Sequence, residues 1–279
     1  MIGKRILIGL LCVSLIAGLS LLSGCEQKEL TGIARIQDQG QLILATESTY
    51  PPFQYMIVEG GQTINAGLDV DMMRRFAEAL GVELVIHEMA FESIIPSVQA
   101  GTADIGGSFT PTPERAEVID FSILYYENNN HVIVRSGEGA NYPTLDSFQG
   151  ARLGAQRGTI QETIISSVGG IDVLALPRIT SLIQELFTGN IEGIVVDRAV
   201  GDTYAAAYSD RVEMAPFEIE GEVGEADGVA MIVAKEQPDL LEALNDFISK
   251  GLADGSIDTM YYANLNAAID QILADLEDE

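Results

Sequence analysis

The segment GSFTPTPERAEVIDF, residues Gly107 to Phe121, places an arginine at the start of a helix that directly follows a strand. Thr112-Pro113 supplies a favoured N-cap residue and then a favoured first helical residue, so a helix is predicted to begin there. Arg115 lies in its first turn, where free N–H groups and a guanidinium can together bind a small carboxylate. The alternative is a solvated turn in which Arg115 pairs with Glu114 or Asp120.

The composition favours a folded protein of the α/β class. The chain has 279 residues, of which 47% are hydrophobic, so it can bury one large core or two medium ones. The apolar runs are spread evenly, which favours two lobes. The formal net charge is −27, and a protein this acidic is not expected to bind nucleic acid. The same charge repels anionic lipid head groups.

The N-terminus has the pattern of an export signal. Lys4-Arg5 precede an uncharged apolar run of 17 residues from Ile6 to Leu22. The ending Leu22-Ser23-Gly24-Cys25 is similar to the lipobox of bacterial lipoproteins, in which the cysteine becomes the acylated first residue. We therefore predict a signal peptide over residues 1–24 and a lipid, such as palmitate, on Cys25. The alternative is an uncleaved membrane anchor, because 17 residues are near the minimum for a span.

Strands and helices alternate along the chain, which predicts parallel pairing of the strands. In the first half, the predicted elements are a strand at Leu42–Thr46, a helix from Gly67 to Gly81, a strand at Val82–Ile86, a helix at Phe91–Ala100 interrupted by Pro96, and a strand at Ala103–Gly107. In the second half, they are strands at His131–Val134, Arg152–Gln156, Val173–Leu176, Gly193–Val196 and Asp227–Val233, and helices at Ile160–Val168, Thr180–Thr188, Asp239–Lys250 and Ser256–Leu265.

The helix–glycine–strand layout before Ile105 recurs before Gly193, so the two halves are predicted to share a topology. The predicted organisation is a tether over residues 25–40, a first part of lobe 1 over 41–128, lobe 2 with the hinge over 129–226, and a hinge strand with the return to lobe 1 over 227–279. Residues 266–279 are either a docked terminal helix or a frayed tail.

Together these motifs resemble the extracellular solute-binding proteins of bacterial ABC importers for polar amino acids, over residues 41–265. The motifs that match, in family order and spacing, are Thr49-Tyr50-Pro51-Pro52-Phe53, Gly67-Leu68-Asp69-Val70-Asp71, Thr112-Pro113-Glu114-Arg115-Ala116, Ile119-Asp120-Phe121-Ser122, Tyr125-Tyr126, Gly158-Thr159 and Val195-Val196-Asp197. The resemblance implies a type II periplasmic-binding-protein-like fold, with two α/β lobes joined by a two-strand hinge. It also implies a monomer in the cell envelope, outside the cytoplasm, that binds a free amino acid, needs no cofactor and serves an ABC permease.

The resemblance implies a role for each residue of the expected site. Arg115 would bind the α-carboxylate with Ser108, Thr110 and the Thr159 backbone N–H, and Asp197 would bind the α-ammonium. The remaining residues would meet the ligand side chain: Tyr50 and Phe91 against its faces, and Glu47 and Gln156 at its far end. An acid between two aromatic faces suits a basic or amide side chain. Tyr50, Phe91 and Glu47 have plainer alternatives, since buried aromatics are commonly core residues and Glu47 could be a solvated loop acid.

Two other functions are compatible with this fold. A dehydratase-like enzyme is one, but His87 and His131 lie on different predicted elements, and only Cys25 would remain after cleavage of the signal peptide. No catalytic or metal-binding arrangement is therefore predicted. The other is a sensor module that presents its bound ligand to a receptor instead of a permease.

Overall fold

The computed structural model describes residues 30–127, 129–219 and 228–277, so the predicted signal peptide and Cys25 lie outside the described residues. The helices are α1 Gly32–Gln39, α2 Leu68–Leu80, α3 Ile94–Gln99, α4 Pro113–Ala116, α5 Ile160–Ser167, α6 Ile179–Phe187, α7 Arg198–Ala207, α8 Pro238–Ala253 and α9 Ser256–Glu277. The strands are β1 Gln41–Thr46, β2 Thr49–Tyr50, β3 Gln54–Glu59, β4 Gln62–Ala66, β5 Glu83–Glu88, β6 Ile105–Phe109, β7 Ile119–Phe121, β8 Tyr126–Glu127, β9 Asn130–Arg135, β10 Arg152–Gln156, β11 Asp172–Leu176, β12 Gly193–Asp197, β13 Val212–Ile219 and β14 Gly228–Ala234.

Lobe 1 is built on a sheet with the strand order β5-β1-β6-β14-β7, to which β8 adds by pairing with β14. The β5, β1 and β6 strands pair in parallel, as the alternation of strands and helices predicts. The β14 and β7 strands are antiparallel to their neighbours. Strand β1 is buried on both faces because its apolar run LILA lies between two parallel partners. The carboxyl ends of β1 and β6 therefore lie at the same edge of the sheet.

Lobe 2 is built on a second sheet with the order β11-β10-β12-β9-β13. Its β11, β10 and β12 strands are parallel, whereas β9 and β13 are antiparallel. The arrangement repeats that of lobe 1 strand for strand, with β10 in the place of β1 and β12 in the place of β6. The shared topology and the two-lobed α/β fold predicted from the sequence are thus confirmed.

The chain passes from lobe 1 to lobe 2 between β8 and β9, and it returns between β13 and β14. Residues 128 and 220–227 lie outside the described residues, and so does the predicted start of the second crossing strand at Asp227. The lobe limits predicted at these two crossings remain predictions.

Regular structure begins earlier than the sequence predicted. Residues Gly32–Gln39, which fall in the predicted tether, form α1, and Ile36 on this helix is fully buried in the core. The helix is fixed to lobe 1 by an ion pair between Arg35 and the buried Asp104. Its first turn is fixed at Ile33, whose N–H donates to Asp239 at 2.9 Å. The helix buries only one face, so most of its residues are polar and the sequence did not reveal it.

The C-terminal residues form part of one helix, α9, up to Glu277. Ala268 on this helix is fully buried, and the side-chain oxygen of Gln271 accepts the Val58 N–H at 3.2 Å. Of the two interpretations of residues 266–279, the docked helix is therefore correct as far as Glu277. No helix within the described ranges is long and apolar enough to cross a bilayer.

Pro96 does not interrupt its helix, contrary to the prediction. The α3 helix begins at Ile94, after a 3₁₀ turn over Phe91–Ser93, and Pro96 is its third residue. Proline is tolerated in the first turn because the N–H that it lacks has no partner within the helix.

Candidate functional site

The expected ligand-binding residues line one cavity between the two lobes. Lobe 1 contributes Glu47, Tyr50, Phe91, Ser108, Thr110 and Arg115, and lobe 2 contributes Gln156, Thr159 and Asp197. Gln54, Ile160 and Gln161 line it as well. Most of these residues lie at or just after the carboxyl ends of the parallel strands, where open α/β sheets bind their ligands. The structure thus brings the expected residues together.

Arg115 lies in α4 and presents its guanidinium at the boundary between the lobes. One terminal nitrogen donates to the Thr110 carbonyl at 2.9 Å, and the other donates across the cleft to the Gly158 carbonyl at 3.0 Å. The guanidinium carbon also lies 5.6 and 5.2 Å from the ring centres of Phe91 and Phe109. Burial lowers the pKa of Arg115 to about 10, so the side chain remains positively charged at neutral pH.

Arg115 does not pair with Asp120, one of the two partners that the solvated alternative required. The Asp120 carboxylate pairs with Lys235 instead, at 2.7 Å. Among residues 30–127, 129–219 and 228–277, no carboxylate lies within ion-pair distance of Arg115. The helix terminus itself contributes less than predicted, because α4 is a single turn and the Thr112 hydroxyl accepts the Arg115 N–H at 3.2 Å. The guanidinium is therefore the group that can bind an anion.

Asp197 ends β12 in lobe 2 and is buried. Its carboxylate accepts a hydrogen bond from the Tyr50 hydroxyl of lobe 1 and another from the Gln161 amide at 3.1 Å. Burial raises the pKa of Asp197 to about 6, although these hydrogen bonds and the charge of Arg115 oppose the shift. Arg115 on lobe 1 and Asp197 on lobe 2 thus bring a positive and a negative group to the same cavity.

Glu47 of lobe 1 and Gln156 of lobe 2 also line the cavity and contact each other. The Glu47 carboxylate accepts from the Thr49 hydroxyl at 2.9 Å and from the Gln156 amide nitrogen at 2.8 Å. The same amide nitrogen donates to the Pro177 carbonyl at 2.9 Å, so both of its hydrogens are used. What remains for a ligand is the amide oxygen of Gln156 and the oxygens of Glu47, which are all acceptors. Burial raises the pKa of Glu47, opposed by its hydrogen bonds and by Arg178.

Ser108 and Thr159 line the cavity, but the donors expected to bind the ligand have partners in the protein. The Ser108 N–H donates to the Tyr125 hydroxyl at 3.0 Å, and its own hydroxyl donates to Asp69 at 2.8 Å. The Thr159 N–H makes a long contact of 3.4 Å with the Gln156 carbonyl, to which its hydroxyl also donates at 2.6 Å. Of the residues expected to bind the ligand carboxylate, Arg115 is therefore the one that offers a charged donor.

A buried acid supports this wall of the cavity. Asp69 is fully buried and accepts from Gln54 at 2.5 Å, from Tyr125 at 2.7 Å and from Ser108. These bonds hold Ser108 at a φ of 59°, a left-handed conformation that is uncommon for residues other than glycine. Burial raises the pKa of Asp69 to about 6, against the effect of the three hydrogen bonds. Asp69 belongs to a motif that the sequence singled out, but no role followed from the motif.

Tyr50 and Phe91 line the cavity and also pack against the core, so both interpretations of these aromatic residues apply. The Tyr50 ring stacks on Phe53 with centroids 5.4 Å apart, and the Phe91 ring stacks on Phe109 at 4.5 Å. Phe53 and Phe109 are core residues with almost no exposure. Tyr50 and Phe91 therefore extend the hydrophobic core to the wall of the cavity.

Gln54, Ile160 and Gln161 were missed by the sequence analysis. Gln54 accepts the Glu47 N–H at 2.9 Å, and Gln161 bridges Asp197 and Asn130. Glutamines are common on protein surfaces, so their type alone did not mark them. Gln161 could have been found from its place in the first turn after the Thr159 N-cap, next to a predicted site residue.

Known proteins similar to this chain bind amino acids. The chain is 27% identical over 261 residues to the L-cystine-binding protein TcyJ of Escherichia coli (strain K12). The alignment covers 93% of this chain and 94% of that protein. It is 27% identical over 224 residues to the arginine-binding extracellular protein ArtP of Bacillus subtilis (strain 168), with 79% and 84% of the two chains covered.

A solved structure is similar as well. The amino acid ABC transporter substrate-binding protein AbpA from Streptococcus pneumoniae Canada MDR_19A, bound to L-arginine, superposes with a TM-score of 0.81. It shares 29% sequence identity, over 84% of this chain and 98% of that one. Residues 42–275 also match the sequence profile of a protein family. The protein belongs to the bacterial extracellular solute-binding proteins, family 3.

Proposed function

We propose that this protein captures a polar or basic L-amino acid outside the cytoplasm and delivers it, as a monomer, to the permease of an ABC importer. The proposal rests on one observation above all: Arg115 of lobe 1 and Asp197 of lobe 2 line the same cavity. A free amino acid is a zwitterion and needs one partner of each sign. The relatives described above are binding proteins, and we propose the same of this chain rather than catalysis.

The placement of the two charges on different lobes suggests how binding drives closure. In an open state, each lobe can satisfy only one end of the zwitterion. When the lobes close, the carboxylate meets Arg115 and the ammonium meets Asp197, so the ligand has a higher affinity for the closed state and shifts the equilibrium towards it. The Tyr50 hydroxyl and the Gly158 carbonyl partner these two residues across the cleft, and the ligand would take over part of this bonding.

The far end of the cavity selects the side chain. Glu47 and Gln156 offer acceptors there, so a side chain that ends in a donor is favoured over an aliphatic or acidic one. Arginine, lysine, histidine and glutamine meet this requirement, and the second α-ammonium group of cystine is also a donor, although a carboxylate lies beside it. This agrees with the arginine and L-cystine in the names of the relatives.

A thermal-shift screen of the twenty standard amino acids and L-cystine tests this function. Basic or amide amino acids should raise the melting temperature of the chain, since a ligand at 100 times its Kd stabilises a protein by about 2.7 kcal/mol. Glu47→Gln should reduce the shift given by cations more than that given by glutamine, because it removes a charge and keeps the shape. A response to aliphatic or acidic amino acids alone would contradict the preference for donor side chains. The absence of any response would contradict amino acid binding altogether.

We further propose that the exported protein is anchored through a lipid on Cys25. The apolar run that ends at Leu22-Ser23-Gly24-Cys25 is the basis, and stable anchoring requires two or more acyl chains. Cys25→Ser should release the protein from the membrane fraction into the soluble fraction, while Cys12→Ser, within the predicted signal peptide, should leave it bound. Equal retention of the Cys25→Ser variant after export would show that another feature anchors the chain.

A further inference from the structure

We infer that Thr49 is a positioning residue that couples the choice of ligand side chain to closure of the lobes. The inference rests on the proposed function, because it assigns Glu47 to the ligand side chain. Thr49 lies in β2, two residues after Glu47, and is buried. It is not among the residues that line the cavity. Its effect on a ligand must therefore pass through its neighbours.

Thr49 holds the Glu47 carboxylate within lobe 1. The Thr49 hydroxyl lies 2.9 and 3.0 Å from the two carboxylate oxygens, and the Thr49 N–H donates to one of them at 3.2 Å. A hydroxyl has a single hydrogen, which is directed here to a buried acid. Hydrogen bonds to a charged group are about twice as strong as those between neutral groups. Thr49 therefore fixes the orientation of the acceptors that Glu47 offers to a ligand.

The same residue is bonded to lobe 2 at two points. Its hydroxyl oxygen accepts the N–H of Ile179 at 3.1 Å, and its carbonyl accepts the hydroxyl of Tyr204 at 3.2 Å. Ile179 is the first residue of α6, so its N–H has no acceptor within that helix. Tyr204 lies in α7 and is buried, as is Ile179. These bonds exist only while the lobes are together.

The Thr49 hydroxyl donates to Glu47 within lobe 1 and accepts from Ile179 of lobe 2. This shared group couples the two sets of bonds. A hydroxyl that accepts a hydrogen bond becomes a better donor, because successive hydrogen bonds polarise one another. Closure thus strengthens the Thr49–Glu47 bond through Ile179 and adds the bond from Gln156 of lobe 2 to the same carboxylate. The acceptors of Glu47 are fully ordered only in the closed protein. A side chain that uses them well therefore favours closure, and one that does not leaves the lobes easier to separate.

The test compares Thr49→Val, which keeps the shape and removes the hydroxyl, with Thr49→Ser, which restores it. The probes are L-arginine and L-glutamine, a cation and a shorter neutral amide, titrated calorimetrically. We expect Thr49→Val to reduce the ratio of the Kd for L-glutamine to the Kd for L-arginine by about tenfold, because Glu47 would no longer be held in the orientation from which its charge favours the cation. Thr49→Ser should recover at least half of the logarithm of that ratio. Small-angle scattering at saturating L-arginine should show less compaction for Thr49→Val than for wild type.

Thr203→Val is the matched control. Thr203 is fully buried in α7, and its hydroxyl donates to the Ala199 carbonyl of the same helix at 2.7 Å. Its loss should lower the melting temperature without changing the ratio or the compaction. If Thr49→Val does not fold, Tyr204→Phe removes the bond from lobe 2 to the Thr49 carbonyl and should reduce the compaction at saturating L-arginine; unchanged compaction would overturn the coupling.

The outcomes separate this inference from the function on which it rests. If wild-type protein binds the probes and Thr49→Val keeps the wild-type ratio within twofold, or raises it, the coupling is wrong and the function stands. A change of the same size in Thr203→Val would also overturn the coupling, because it would reflect a general loss of stability. If wild-type protein binds neither probe, the proposed side-chain preference fails, and the role of Thr49 fails with it.

Discussion

Replacing Arg115 by alanine is expected to weaken amino acid binding by about two to three and a half orders of magnitude in Kd. The substitution would leave the ligand carboxylate desolvated in the closed cavity without a charged partner. Breaking a buried ion pair in this way costs about 3–5 kcal/mol, and each 1.4 kcal/mol corresponds to a factor of ten in Kd. The guanidinium already lies among acceptors and aromatic rings and has no carboxylate partner within the described ranges, so the ligand would be its counter-ion.

The matched control for this substitution is Arg152→Ala. Arg152 lies on β10, is half exposed and pairs with the exposed Asp172. Exposed pairs of this kind contribute at most about 1 kcal/mol, and this pair is outside the cavity. Calorimetric titration of both variants, with circular dichroism to confirm folding, separates the two cases. If Arg115→Ala binds within about fivefold of wild type, Arg115 does not bind the carboxylate.

Replacing Asp197 by asparagine is expected to produce a loss of similar size at pH 7 and to change the response to pH. The pKa of Asp197 is about 6 in the protein without ligand, and an ammonium group beside it would lower that value. Binding must therefore release a proton below pH 6, and the wild-type affinity should fall by up to about tenfold for each pH unit below it. Above pH 7, Asp197 is ionised and its contribution should be constant.

Three other acids define the controls for this experiment. The pKa of Asp69 is also about 6, and burial raises the pKa of Glu47, so some pH dependence should remain in Asp197→Asn. The component that belongs to Asp197 is the part that this variant loses. Asp104→Asn is the matched control, because burial raises the pKa of Asp104, which pairs with Arg35 outside the cavity. An identical pH profile for Asp197→Asn and wild type would show that Asp197 does not bind the ammonium.

Much of the fold could be predicted because buried parallel strands are short apolar runs bounded by glycines and polar residues. The limits predicted for β10, Arg152–Gln156, are those of the structure, and β12 differs by one residue. Helix α2 ends where Gly81 takes a left-handed conformation, as its position after the last apolar residue predicted. These elements are specified by local sequence and are then buried in the same register.

Most of the elements that were missed lack such a pattern. Strand β3 of the β3–β4 hairpin does carry an apolar run, Tyr55–Val58, but Val58 is exposed and β4 is mostly polar, so the hairpin does not show the pattern of a buried parallel strand. Its Gly60-Gly61 turn, with both residues at positive φ, is a further local feature that could have revealed it. Helix α7 and strand β13 were not assigned because small and polar residues interrupt their apolar positions. Contacts with α9 and β9, distant in sequence, stabilise them instead.

That the expected residues lie together could be predicted, but their hydrogen bonds could not. All the expected residues line one cavity, since the motifs fix their positions at the ends of strands. The direction of each donor depends on residues far along the chain. Ser108 donates to Tyr125 and Asp69, which lie 17 and 39 residues away along the chain, and Thr49 reaches lobe 2 because Ile179 begins a helix there. Such bonds are properties of the packed structure.

The decisive measurement is a crystal structure of the protein with the amino acid that gives the largest thermal shift. We expect the α-carboxylate to lie about 3 Å from the guanidinium of Arg115 and the α-ammonium to lie about 3 Å from the carboxylate of Asp197, with the lobes closed around them. A ligand whose zwitterion lies away from these two residues, or is bound in the reverse orientation, would contradict the mechanism of capture.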